Sequence, residues 1–146
     1  METRFNMQAL QPQAFKAMLG LEGYLQTGVL SKTHKELIKL RASQVNGCAY
    51  CLDMHYKDAV KAGEKPERIV LLNAWKEVNV FTEEEKLILA LTEAVTLIHN
   101  KGIDSALYQQ AESTFGEVYL AQIIMAIVTI NAWNRIAIST LQQPGS

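Results

Sequence analysis

Apolar residues recur every three to four positions along almost the whole chain, and no run alternates apolar with polar as a half-buried strand does. The pattern predicts an all-α fold of about six to seven helices. Punctuation residues set the boundaries. Pro12 and Pro66 suit the first turn of a helix, where a missing N–H costs little. Ser31 reads as an N-cap, and Asn46-Gly47 as the stop of the helix it opens. Thr82-Glu83-Glu84-Glu85 has the form of a capping box, and Lys101-Gly102 closes that helix at its far end. Helices are therefore expected over about residues 12–27, 32–45, 48–63, 66–76, 83–99 and 117–140. Asp104 caps a further short helix.

The last helix is apolar on every side from Tyr119 to Ile130, the pattern of a buried helix. Gln122, Asn131, Asn134 and Arg135 interrupt it, and a charge inside a membrane span is costly. It reads as a central or subunit-interface helix, with no membrane partner. Its apolar surface exceeds what one stripe needs, which points to a homo-oligomer. The chain carries no linker or clear repeat, and 146 residues suit a single domain over 1–146.

A formal net charge of −1 removes any global electrostatic argument for nucleic acid. Lys57, Lys61, Lys65 and Arg68 form a local basic stripe, which reads as a solvated helix face. His34 and His99 belong to no constellation and read as surface residues. The first residues lack the apolar core of a secretory signal. The two cysteines lie three apart, too close to staple a fold, so a reducing, cytoplasmic setting with a reactive pair is expected.

That pair carries the candidate chemistry. On a helix Cys48 and Cys51 differ by about 60° and Cys51 and His55 by about 40°, so all three share one face. Cys51 and His55 are one turn apart. If Asn46-Gly47 is a tight turn, the helices on either side form an antiparallel hairpin. Glu36 and His55 then fall within about one helical turn of each other. A Glu36–His55–Cys51 proton relay follows from that count. A thiolate is the nucleophile, and a neighbouring base raises its population. A second thiol converts a sulfenic acid into a Cys48–Cys51 disulfide. The helix N-terminus favours Cys48 as the attacking thiol, whereas His55 favours Cys51. Glu36 also fits a capping box with Thr33. Cys48, Cys51 and His55 are acceptable zinc ligands, but no fourth is evident. No metal or cofactor is expected beyond the redox-active disulfide.

The spacing of Glu36, Cys48, Cys51 and His55 resembles the signature of alkyl hydroperoxidase D, of the carboxymuconolactone decarboxylase-like superfamily. The run from Leu40 to Cys51, Asn73-Ala74-Trp75-Lys76-Glu77 and Asn131-Ala132-Trp133-Asn134-Arg135 look very like one branch of it. The likeness spans roughly residues 10–140. It implies an all-α homo-oligomer, a trimer or hexamer, that reduces organic hydroperoxides. It also implies Cys51 as peroxidatic thiol, Cys48 as resolving thiol, and His55 and Glu36 as proton relay. A dithiol or lipoylated protein would re-reduce the disulfide. One position departs. The family has a second histidine where this chain has Tyr50, which bears on peroxidase strength and on the reductant. True carboxymuconolactone decarboxylases lack the cysteine pair, which argues against lactone decarboxylation here. Asn131, Asn134 and Arg135, polar on an apolar helix, are candidates for a second layer around the thiols or for an interface network. The rival readings are a redox sensor or a non-catalytic binding subunit.

Overall fold

The structure, a computed structural model, describes residues 1–145, and those residues form helices and no strand. Eight α-helices run in order: α1 (Met7–Leu10), α2 (Pro12–Thr27), α3 (Lys32–Asn46), α4 (Ala49–Lys61), α5 (Pro66–Leu71), α6 (Glu83–Thr96), α7 (Ile98–Lys101) and α8 (Ser105–Thr140). A 3-10 turn, Leu72–Glu77, follows α5.

The predicted caps act as expected. The Ser31 hydroxyl accepts from the His34 N–H at 3.1 Å, and Asp104 accepts from the Leu107 N–H at 2.8 Å. Thr82 and Glu85 complete their reciprocal capping box. Since Ser31 caps α3, Glu36 is released from the capping-box role with Thr33. The helix expected over 66–76 gives way to the 3-10 turn after Leu71, with Ala74 out of helical geometry, and the Trp75 indole donates to Glu93 at 2.7 Å. The helices expected from Asp104 and over 117–140 follow one another in α8. They are separated only by Gly116, whose φ of 77° and ψ of 162° lie outside any helix. The short helix α1 was not expected, although Asn6 caps it, its Oδ1 accepting from the Ala9 N–H at 2.9 Å.

α3, α6 and α8 pack against one another at the centre. Ile38 and Ala42, one turn apart on α3, meet Ile88 and Leu91 of α6 and Ile123 and Ile127 of α8 in the main core. The other side of α3 places Leu37 and Leu40 in a second cluster with Ala59, Leu72 and Leu89. By length and composition α8 is long and apolar enough to cross a membrane, but its Ile123, Ile127 and Ile130 are fully buried in the protein's own core. His34, expected at the surface, is half-buried, with its Nδ1 2.6 Å from the Tyr119 hydroxyl.

Candidate functional site

The site begins at a turn. α3 ends at Asn46, and Gly47 takes a left-handed conformation with φ of 68° that a side chain would strain. The Gly47 and Cys48 N–H groups return to Gln44 O and Ser43 O, closing the last turn of α3. Cys48 is then the N-cap of α4, its sulfur accepting from the Cys51 N–H at 3.4 Å. The hairpin read from the sequence is present, and α3 packs along α4. Cys48 and Cys51 form a disulfide, with Cα atoms 5.4 Å apart. Both cysteines are buried, in a small cluster with Ala137 of α8.

Behind the turn, amide side chains fix it to α8. Asn46 Nδ2 donates to Asn131 Oδ1 and Asn134 Oδ1, each at 2.9 Å, and Asn134 Nδ2 donates to Ser43 Oγ at 3.0 Å. Asn131 Nδ2 reaches Thr96 Oγ1 of α6 at 3.0 Å, and Arg135 donates back to Asn131 Oδ1 at 2.8 Å. Asn131, Asn134 and Arg135 therefore hold the thiol turn from behind and do not line the cavity in front of it. Buried amides need partners, and the turn's own Asn46 supplies them.

In front of the turn lies a cavity of about 490 Å³. Cys51, His55 and Tyr50 line it, and Cys48 does not. Phe15, Leu19, Met54 and Ile136 make much of its wall apolar. The N-terminal segment closes one side with Phe5 and Met7, fastened by the Arg4 N–H to Thr140 O at 2.8 Å. Its polar lining includes Glu22, Lys39, Asp58 and His55.

The sequence-derived relay is not joined by hydrogen bonds. Glu36 Oε2 and His55 Nδ1 are both buried and neither has a hydrogen-bond partner. Glu36 lines a separate cavity of about 140 Å³, with Ala59, Ala62 and Gly63. The reason is register. Glu36 lies eleven residues before Gly47, so its counterpart across the hairpin falls near residue 58, a turn beyond His55. Lys39 lies eight residues before Gly47 and His55 eight after it. The residue facing His55 is thus Lys39, which sequence reasoning missed although the same count identifies it.

Electrostatics follow this placement. Burial lowers His55 from the usual 6.5 to about 4, with the Lys39 ammonium adding to the shift. At neutral pH the imidazole is uncharged, a proton acceptor and not a counter-ion. Burial raises the Glu36 carboxyl above its ordinary value, opposed by Lys39. Among the described residues, no group of three or more His, Cys, Asp or Glu side chains is arranged to hold a metal ion.

The model of the carboxymuconolactone decarboxylase family matches residues 12–94 of this chain. The uncharacterized protein YdfG of Bacillus subtilis (strain 168) is 40% identical over 139 residues, which cover 95% of each chain. A crystal structure from Agrobacterium tumefaciens, of a protein of unknown function proposed as the antioxidant defence protein AhpD, superimposes with a TM-score of 0.95. It is 39% identical, and the match covers 99% of both chains. An uncharacterized peroxidase-related protein from Silicibacter sp. TM1040 shares the fold, with a TM-score of 0.79 at 22% identity over 90% of this chain and 70% of that one.

Proposed function

The chain belongs to the carboxymuconolactone decarboxylase family and is alkyl hydroperoxidase D-like, and from that premise we propose that it is a thiol peroxidase for organic hydroperoxides. The observation that carries this reading is the Cys48–Cys51 disulfide with only Cys51 of the pair on the cavity wall, beside an uncharged His55. A cavity of about 490 Å³ has the size of a small-molecule site. Its largely apolar wall suits the organic part of a hydroperoxide. The wider antioxidant role fits both the family and the disulfide-forming pair.

In the proposed cycle the Cys51 thiolate attacks the terminal peroxide oxygen, the O–O bond breaks, and the alkoxide leaves as the alcohol after taking a proton. Cys51 is then a sulfenic acid. The Cys48 sulfur displaces its hydroxyl as water, which forms the disulfide. A dithiol, free or on a lipoylated partner, attacks Cys51, which the cavity reaches. Cys48 is the better leaving thiolate, because its sulfur accepts the Cys51 N–H at a helix N-terminus. Closing the second dithiol sulfur returns two thiols and one oxidised dithiol. Neutral His55 is the base that takes the Cys51 proton. The resemblance assigns Glu36 to the same proton path, and its buried, unpartnered Oε2 is the atom that would hold that proton. Tyr50, in place of the family's second histidine, adds a phenol and no base to the wall.

The test is steady-state reduction of cumene hydroperoxide with dihydrolipoamide. Wild type should turn over, and Cys51→Ser should fall to background, a loss of at least about a hundredfold. Cys48→Ser should give a single turnover and a Cys51 that over-oxidises under excess peroxide. Sustained turnover by Cys48→Ser would discard the assigned roles. No turnover by wild type, with the disulfide still cycling, would leave a redox switch in its place.

A further inference from the structure

The cavity wall holds one ammonium, and its place is unusual. Lys39 Nζ lies 3.8 Å from Glu22 Oε2 and 4.0 Å from Glu36 Oε1, beyond hydrogen-bond distance from either. Its side chain is only 18% exposed. Glu22 is itself held in position, since its Oε1 accepts the Trp133 indole N–H at 3.0 Å. The ammonium is thus suspended between two carboxylates of α2 and α3, with its donors unspent, in the wall that also presents Cys51 and His55.

Each element around Cys51 can be read for charge. α2 contributes Glu22, α3 contributes Lys39, and α4 contributes Asp58 beside His55, which is uncharged at neutral pH. α8 contributes Trp133, Ile136, Ala137 and Thr140, none of them charged. The N-terminal segment adds only uncharged side chains to the wall, because the Arg4 guanidinium bonds Ser139 O at 3.1 Å. Lys39 is therefore the only cation of this wall among the described residues. Without it the cavity would carry two carboxylates and nothing to offset them.

We infer that Lys39 is a positioning residue for the thiol chemistry proposed above, holding the reduced Cys51 sulfur as a thiolate through its field. His55 cannot fill that role. The imidazolium formed when His55 takes the Cys51 proton is disfavoured by burial and by Lys39 itself, so it passes the proton on to water and does not stay as counter-ion, whereas a cation on the same cavity wall lowers the cost of the charge left on sulfur. The division of labour is then base and counter-ion on facing helices. The inference rests on Cys51 being the reactive thiol and needs no peroxide for its test.

The experiment is the pH profile of alkylation by iodoacetamide, in reduced full-length protein carrying Cys48→Ser so that one thiol reports. Thiolate absorbance near 240 nm provides an independent reading. Lys39→Met should move the profile up by about one pH unit, which is roughly tenfold slower alkylation at pH 7. Lys39→Arg should restore most of the rate. Glu22→Gln, which keeps an acceptor for Trp133, should move the profile down. A merely structural role would not give opposite signs for two partners of one ion pair. If Lys39→Met leaves the profile within about 0.3 pH unit, or if Glu22→Gln moves it upward, the inference is overturned. Should Lys39→Met fail to fold, Lys39→Gln read by the same alkylation profile takes its place, with the same outcomes. Loss of peroxide turnover with these alkylation shifts intact would count against the peroxidase reading and leave the thiolate assignment standing.

Discussion

Taking the imidazole of His55 out of water disfavours its charged form, and that cost is felt in folding as well as in chemistry. The folded value of about 4 lies below the unfolded 6.5. Between those values the unfolded chain binds the extra proton, so stability falls as pH drops through that window. The loss approaches about 3 kcal/mol below the folded value. Glu36 opposes it, since a carboxyl raised by burial stabilises at low pH and loses that contribution as pH rises through its folded value. The clean measurement is a difference. Urea unfolding midpoints of wild type should fall steeply from pH 6.5 to 4, and those of His55→Gln should fall less. Parallel curves would show that His55 is not the titrating group. At this scale the sequence marked Cys48, Cys51 and His55 through spacing alone: Cys51 and His55 share a face of α4, while Cys48, which helical counting also put on that face, is the extended N-cap before it. Lys39 was passed over, since a lysine on a helix reads as solvated, although the hairpin count places it opposite His55. Its partner Glu22 comes from the preceding helix α2, and Trp133, which holds Glu22, from the distant α8.

Helix boundaries depend on local chemistry, which is why most were legible. Ser31, Thr82, Asp104, Gly47, Pro12 and Pro66 each act within four residues of their own position. α1 was missed although Asn6 caps it, because one turn, Met7–Leu10, is too short to show a helical period and tertiary contacts help hold it. Its N-terminal segment is fastened by Arg4 to Thr140 O and Ser139 O, acceptors at the far end of the chain. The break in α8 lies between these cases. A glycine inside a helical pattern warns of a break but does not give its geometry. At φ 77° and ψ 162°, Gly116 occupies a region closed to residues with a Cβ, and a Cβ there would meet no atom within 4 Å. Gly116→Ala therefore isolates backbone strain from packing. It should cost about 1–3 kcal/mol, read as a lower urea midpoint with an unchanged slope. A stabilised Ala variant would mean that the helix runs straight through in solution.

The whole molecule reuses one device on two sides of α3. Trp75 donates to Glu93, which pairs with Arg41 at 2.9 Å, and Trp133 donates to Glu22, which approaches Lys39. One trio ties the 3-10 turn to the core and the other opens onto the cavity. The repeated Asn-Ala-Trp of residues 73–75 and 131–133 was visible in the sequence, but the carboxylate each indole reaches was not. The outer side of α8 is also unspent. Val118, Ala121, Val128 and Ala132 fall at intervals of three, seven and four, the spacing of one helix face, and Val118 is 71% exposed and Val128 43%. The inner side of the same helix is filled by the core, so this stripe is the excess apolar surface that the sequence pattern indicated. We propose that it packs against another copy of the chain. Light scattering after size exclusion should then give wild type a mass several times 16.3 kDa, with three and six copies the multiples that the resemblance implies. Val128→Asp places a charge at the middle of the stripe without touching the core, so it should return the mass toward a single chain while leaving the helical circular dichroism unchanged. An oligomer that survives Val128→Asp would move the interface elsewhere, and a monomeric wild type would remove the homo-oligomer from the proposal altogether.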